Sequence, residues 1–216
     1  MTKHLDRDMD RLHRDILSLC TIVEDMIGMA AMALRDGRLE LCDQVTAEDD
    51  TVDRYEVAIE EECLKMLALH HPVAMDLRRI ATVVKVNNDL ERIADLAVNI
   101  ADRARGVREY PEFPIPKGVE PMVAHVRSMV RGALDAFVHL DTAAAREVIQ
   151  RDNIVDELNE HLIELLQQTM QAKSAFVIPA LHCFSAIRHL ARIGDHATNI
   201  AEDAIYLVDG EIIRHR

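Results

Sequence analysis

Apolar residues recur every three or four positions through most of the chain, the period of an α-helix that buries one face. The first such segment runs from about Asp6 to Leu34, with Leu12, Ile16, Leu19, Val23, Met26, Ile27 and Ala30 on one stripe. Asp36-Gly37 ends it, because glycine accepts the left-handed conformation at a helix C-terminus. A second segment runs from about Leu39 to Leu69 and stops at His71-Pro72, since proline disfavours helix at the residue before it. A third covers about Ala74 to Ala104. Three prolines and two glycines within Gly106–Gly118 then mark a linker. Three more helical segments follow, about Val119–His139, Thr142–Gln171 and Ala175–Val208, and Asp209-Gly210 closes the last. The pattern predicts an all-α protein.

The chain repeats itself. Val52-Asp53 within Asp49–Asp53 matches Val155-Asp156 within Asp152–Asp156, 103 positions on. Arg92-Ile93-Ala94-Asp95 with Asn99-Ile100-Ala101 matches Arg192-Ile193-Gly194-Asp195 with Asn199-Ile200-Ala201, 100 positions on. Two ordered matches at nearly one offset imply a duplicated unit. The expected architecture is two tandem pseudo-symmetric three-helix bundles of long antiparallel helices, residues 1–105 and 119–216, joined by the linker 106–118.

Composition sharpens this reading. Apolar residues form 49% of the 216, enough for a packed core, yet aromatic residues form only 3% and Trp is absent. A core of Leu, Ile, Val, Ala and Met fits helix-on-helix packing better than a sheet. The formal net charge of −13 argues against nucleic-acid binding. It suits solubility, cation binding or docking onto basic partners. Cys20, Cys42, Cys63 and Cys183 have no Cys-x-x-Cys spacing and fall in helical patterns, so they read as small buried hydrophobes in a reducing compartment. Residues 1–8 carry acid and no apolar core of a signal peptide, and no uninterrupted apolar run reaches spanning length. A cytoplasmic protein without membrane insertion is expected.

The acidic positions carry the candidate chemistry. At about 100° per residue, Glu91, Asp95, Asn99 and Asp102 share a quarter of the third helix's circumference, away from Leu90, Ile93, Leu96, Ala97 and Ile100. Asp49, Asp53, Glu56 and Glu60 form a second narrow stripe on the second helix. Neither stripe contains Lys or Arg. Like charges four apart on a helix repel, whereas a solvated face usually mixes signs. Antiparallel packing of the two stripes would add to the repulsion, and a bound cation would remove it. Oxygen-only ligands suit hard cations: Mg²⁺, Mn²⁺ or Ca²⁺, with Fe and Zn as further candidates. Two solvated acidic faces on a stable core are the alternative. In the second half Asp152, Asp156, Asp195, Asn199 and Glu202 remain, but Ala191 stands for Glu91, Asn159 for Glu56, Ile163 for Glu60, and Arg188 for Asn88. Metal binding there is expected to be weaker or absent.

Other constellations point to no enzyme. His182, His189 and His196 share one face but are about 10 Å apart along the axis at 1.5 Å per residue, too far for one ion, and so flank the core or a partner surface. His70-His71 sits where it would cap a helix C-terminus. The methionines around Met26–Met32 read as core filler. No Gly-x-x-x-x-Gly-Lys-Ser/Thr loop and no Gly-x-Ser-x-Gly elbow occurs. A metal-dependent helical-bundle enzyme of the di-metal oxidoreductase type is the alternative reading. It would need inward carboxylates beside His ligands.

The segments Asn88–Ile100 and Ala191–Glu202 resemble the two signature helices of the PhoU family. Pro72–Ile80 is similar to the start of that family's third helix, and Ile205–Gly210 to its usual ending. The resemblance covers nearly the whole chain. It implies two pseudo-symmetric three-helix bundles. It also implies metal clusters at Glu/Asp-x-x-x-Asp motifs, here Asp49 and Asp53 with Glu91 and Asp95, then Asp152 and Asp156 with Asp195. It further implies a negative regulator of phosphate uptake and phosphate-starvation signalling. Such a protein would be a non-enzymatic adaptor between the ATPase subunit of the phosphate ABC transporter and a sensor histidine kinase, and a homodimer.

Overall fold

The computed structural model describes residues 3–211 and Ile213. Six long helices account for most of them: α1 (Lys3–Asp36), α2 (Leu39–His70), α3 (Ala74–Arg108), α4 (Val119–His139), α5 (Thr142–Ala172) and α6 (Val177–Asp209), the last preceded by a 3-10 turn at Ser174–Phe176. No strand occurs among the described residues.

The boundaries follow the local chemistry. Gly37 ends α1 at φ 67° and Gly210 ends α6 at φ 76°, both left-handed. His71 ends α2 at φ 44°, and His70 bonds Asp8 at 3.1 Å instead of capping a carbonyl. Asp141 caps α5, its Oδ1 accepting from the amides of Ala143 and Ala144 at 3.0 Å each. The third helix continues one turn past residue 105, into the expected linker. Val107 is buried and adds to the core, and that gain outweighs the helix-weakening Gly106.

The stripe read from the first helix is the buried one: Leu12, Leu19, Val23, Met26, Ile27 and Ala30 are fully inaccessible, and Ile16 nearly so. Leu90, Ile93, Ala97 and Ile100 of α3 are likewise inaccessible, as are Ile193, Ala197 and Ile200 of α6. The cysteines are all free and buried, and burial pushes the thiols of Cys20, Cys63 and Cys183 up to about 12.

The two three-helix units share one continuous core rather than standing apart on a linker. Their closest seam joins α3 to α6. Arg78 Nη1 donates to the Leu207 carbonyl at 3.4 Å, Lys85 pairs with Asp203 at 3.0 Å, and Asp89 meets His196 Nδ1 at 2.8 Å. Numbers rise on α3 as they fall on α6, so the two helices run antiparallel. α1 and α4 pair in the same sense, with Gly28 beside Arg127 and Arg35 on Glu120 at 3.1 Å. Each of these contacts joins a helix to its own duplicate, as a pseudo-twofold relation requires. Small residues, among them Ala94, Ala101, Ala197 and Ala201, are buried in the two central helices.

α1 and α6 are each long and apolar enough to cross a membrane by length and composition. The expectation of no spanning-length segment overlooked them because charged residues interrupt both. Their apolar stripes supply much of the shared core.

Candidate functional site

The outward faces of α2 and α3 carry the first acidic group. Val52, Ile59 and Cys63 hold one side of α2 in the core, while Ile93, Ala97 and Ile100 do the same for α3. The carboxylates therefore rise along the groove between the two helices. They act on each other across it. Burial, then the charges of Asp53 and Asp95, push the Asp49 carboxyl above its ordinary range. Burial, then Asp95, raise Glu91, with Glu56 and Asp53 adding to the effect. Two helices distant in sequence thus bring Asp49, Asp53, Glu56, Glu91 and Asp95 into one field of negative charge.

Three expected members stand differently. Asn99 Nδ2 donates to the Asp95 carbonyl of its own helix at 2.8 Å. Asp102 lies 3.9 Å from Arg105, which itself donates to Asp43 at 2.8 Å. Glu60 is exposed one turn beyond Glu56. The stripe is also not free of cations. Arg92 projects beside it and reaches Glu91 at 3.4 Å and Asp95 at 3.3 Å. Arg92 is one residue off the stripe by helical angle, but its side chain is long enough to fold back. Being half exposed, it screens the acids only weakly.

The second group is smaller. Burial, then Asp156 and Asp195, raise the Asp152 carboxyl. Burial and Asp156 raise Asp195, while His196, Arg188 and Arg192 lower it. Gly194 faces α5, with Asp152 Oδ1 3.6 Å from where a Cβ would stand, an ordinary van der Waals distance. Asn199 turns away to α3, with Nδ2 donating to Asp89 at 3.4 Å. Glu202 is half-buried one turn further along α6.

Among the described residues, no three His, Cys, Asp or Glu side chains converge closely enough to hold one ion. The acids form facing rows, not a closed cage. Their chemistry still fits hard cations. The donors are all oxygen, Asp49 and Glu91 are held above their ordinary values by burial and then by neighbouring carboxylates, and Mg²⁺-type ions keep several waters and need only one or two carboxylates each.

Full-length similarity accompanies this geometry. The PhoU domain model matches residues 16–104 and again 119–204, once in each half. The phosphate-specific transport system accessory protein PhoU homolog of Aquifex aeolicus is 37% identical over 212 residues, spanning 98% of this chain and 96% of that one. The homolog of Pseudomonas aeruginosa is 38% identical, spanning 100% and 89%. This chain belongs to the PhoU family. The crystal structure of PhoU from Pseudomonas aeruginosa superposes with a TM-score of 0.91 at 36% identity, over 95% of this chain and 99% of that one. The all-α fold with a duplicated three-helix unit is therefore the PhoU fold.

The polar seam between the halves of this PhoU protein escaped the sequence reading. Asp89 and Asp203 are buried, at 7% and 2% exposure, and meet His196 and Lys85 across the α3/α6 contact. A signal was present. Asp89 shares a helical face with Val86, Ile93 and Ala97, and Asp203 with Ile200 and Leu207, so each is a lone acid on an apolar stripe. The three α6 histidines line the same seam: His182 against Gly106, His189 near Arg103, His196 on Asp89.

Proposed function

We propose that this PhoU protein is an accessory protein of a phosphate-specific transport system, acting as a negative regulator of phosphate uptake and of phosphate-starvation signalling. It works in the cytoplasm as a non-enzymatic helical adaptor, between the ATPase subunit of a phosphate ABC transporter and a sensor histidine kinase, and as a homodimer. Full-length similarity to curated accessory proteins of phosphate transport, matched in both halves, carries this reading.

Asp49, Asp53, Glu91 and Asp95, with Glu56 beside them, would hold a hard divalent or trivalent cation, or a small cluster, in the α2/α3 groove. The ion would supply positive charge that offsets the repulsion among these acids and would stiffen the groove as a partner-facing surface. The chain's own part is positional: buried Val52 and Ile93 fix where the two rows stand. A di-metal oxidoreductase has less support, because no His stands among the five acids of the first group.

Two measurements test the adaptor reading. Tagged protein should retain the transporter ATPase subunit and the kinase's cytoplasmic domain in a pull-down from phosphate-replete cells. Deletion of the gene should switch on a phosphate-starvation reporter while phosphate is ample. A reporter that stays silent in the deletion strain would overturn the regulatory role.

A further inference from the structure

A cleft of about 620 Å³ opens where the linker crosses the ends of α1 and α3 and the start of α4. It lies apart from the acidic groove and owes nothing to it. Buried Val107 and Phe113 form its floor, and half-buried Tyr110 stands in its wall. The wall is held in place. Phe113 packs edge-on to Phe176 with ring centroids 5.7 Å apart, and Lys173 ties Glu112 at 3.3 Å, so the linker is pinned to the α5/α6 corner. The Phe113 amide donates to the Tyr110 carbonyl at 2.9 Å.

The charges lining this cleft do not balance. Arg35 is spent on Asp36, with two hydrogen bonds of 2.7 Å, and on Glu120 at 3.1 Å. That accounts for both carboxylates of the cleft. Arg108 and Lys117 remain, exposed and without an ion pair or hydrogen bond among the described residues. In a chain of net charge −13, neither remaining cation of this cleft has taken an acid as its partner. Helix-end electrostatics account for only one of them. Arg108 lies over Gly37, its Cδ, Nε and Nη1 each 3.1 Å from where a Cβ would stand, and so complements the negative end of α1. Lys117 precedes Val119 and sits at the positive end of α4, where a cation is disfavoured. Gly118 supplies no side-chain cap there. An anion at this point would pair with Lys117 and Arg108 together, beside a helix start whose Val119 amide already donates to the Pro116 carbonyl at 3.1 Å.

We propose that the cleft binds a small aromatic phosphate monoester, its head group between Arg108 and Lys117 and its ring against Tyr110. Two unpaired cations call for a dianion, which a phosphate monoester is near neutral pH. The volume falls in the range of small-molecule sites and far exceeds what a bare inorganic anion fills. The aromatic and apolar wall gives the remainder of the molecule its place.

Calorimetry on the full chain tests this with phenyl phosphate and AMP as probes and orthophosphate as the head group alone. At least one ester should bind one per chain, and Lys117→Gln should weaken it about tenfold, the worth of one charge-assisted contact. Arg108→Gln should do the same, with its melting curve checked because that side chain also packs on Gly37. Tyr110→Ala should weaken the esters and leave orthophosphate unchanged. The proposal fails if neither ester binds, if Lys117→Gln binds them like the parent chain, or if orthophosphate binds as tightly as the esters.

Discussion

In the first half, Glu91 and Asp95 of α3 face Asp49, Asp53 and Glu56 of α2, and Arg92 reaches in from the edge. In the second half Asp195 faces Asp152 and Asp156, with Arg188, Arg192 and His196 all bearing on it. The positions equivalent to Glu91 and Glu56 are Ala191 and Asn159, both buried, at 6% exposure each. The apolar faces beneath the two groups have stayed alike, Ile93 and Ile193 both being fully inaccessible. Duplication has preserved what packs and let the charge diverge. Core positions answer to neighbours on every side, whereas a surface stripe answers only to what binds it.

The strongest test of that contrast is on the shared packing. Ile93→Ala and Ile193→Ala should each destabilise the protein by about 2–5 kcal/mol, and by similar amounts, in denaturant unfolding. A large inequality would mean the halves are not equivalent scaffolds.

Metal should then separate them. Titrating Mn²⁺ into chelator-stripped protein to about a hundredfold over its dissociation constant should add about 2.7 kcal/mol. For a chain of this size that is roughly 5–10 °C in melting temperature. Glu91→Ala with Asp95→Ala should abolish the rise, and Asp152→Ala with Asp156→Ala should leave most of it. Equal losses from the two pairs would erase the asymmetry.

A smaller effect tests the cause of the divergence. Ala191→Glu combined with Arg188→Asn rebuilds two first-half residues in the second. It should lower the metal-free melting temperature, because a carboxylate enters a nearly closed position beside Asp195, at a cost of about 1–3 kcal/mol. Mn²⁺ should recover part of that loss.

The smallest expected effect is in pH. Asp49 and Glu91 titrate above their ordinary values in the folded chain, so the folded state holds their protons more tightly than the unfolded one. Metal-free protein should therefore gain stability as pH falls from neutrality through the raised values, down to the ordinary carboxylate range. Asp49→Asn with Glu91→Gln should reduce that slope, leaving the share due to Asp152, Asp195 and Glu24, which are also raised. Below this range the trend reverses, as Asp8 and Asp36, held low by His70 and Arg35, lose their partners' benefit. A slope left unchanged by the double substitution would assign it wholly to other groups.

The one-dimensional order of residues determined the six helices, most of their ends, the duplication and the rows of acid. Each of these depends on neighbours within a few positions or on a repeat visible in the letters, as with Gly37, Pro72 and the paired Asp53 and Asp156. Tertiary structure decided the rest. It joined the halves into one core along α3 and α6, buried Asp89 and Asp203 there, folded Arg92 back onto Glu91 and Asp95, and drew Asn199 across to Asp89. Those outcomes depend on which helices meet and how far a long side chain reaches. Helical periodicity fixes the direction a residue faces, but not what it finds there.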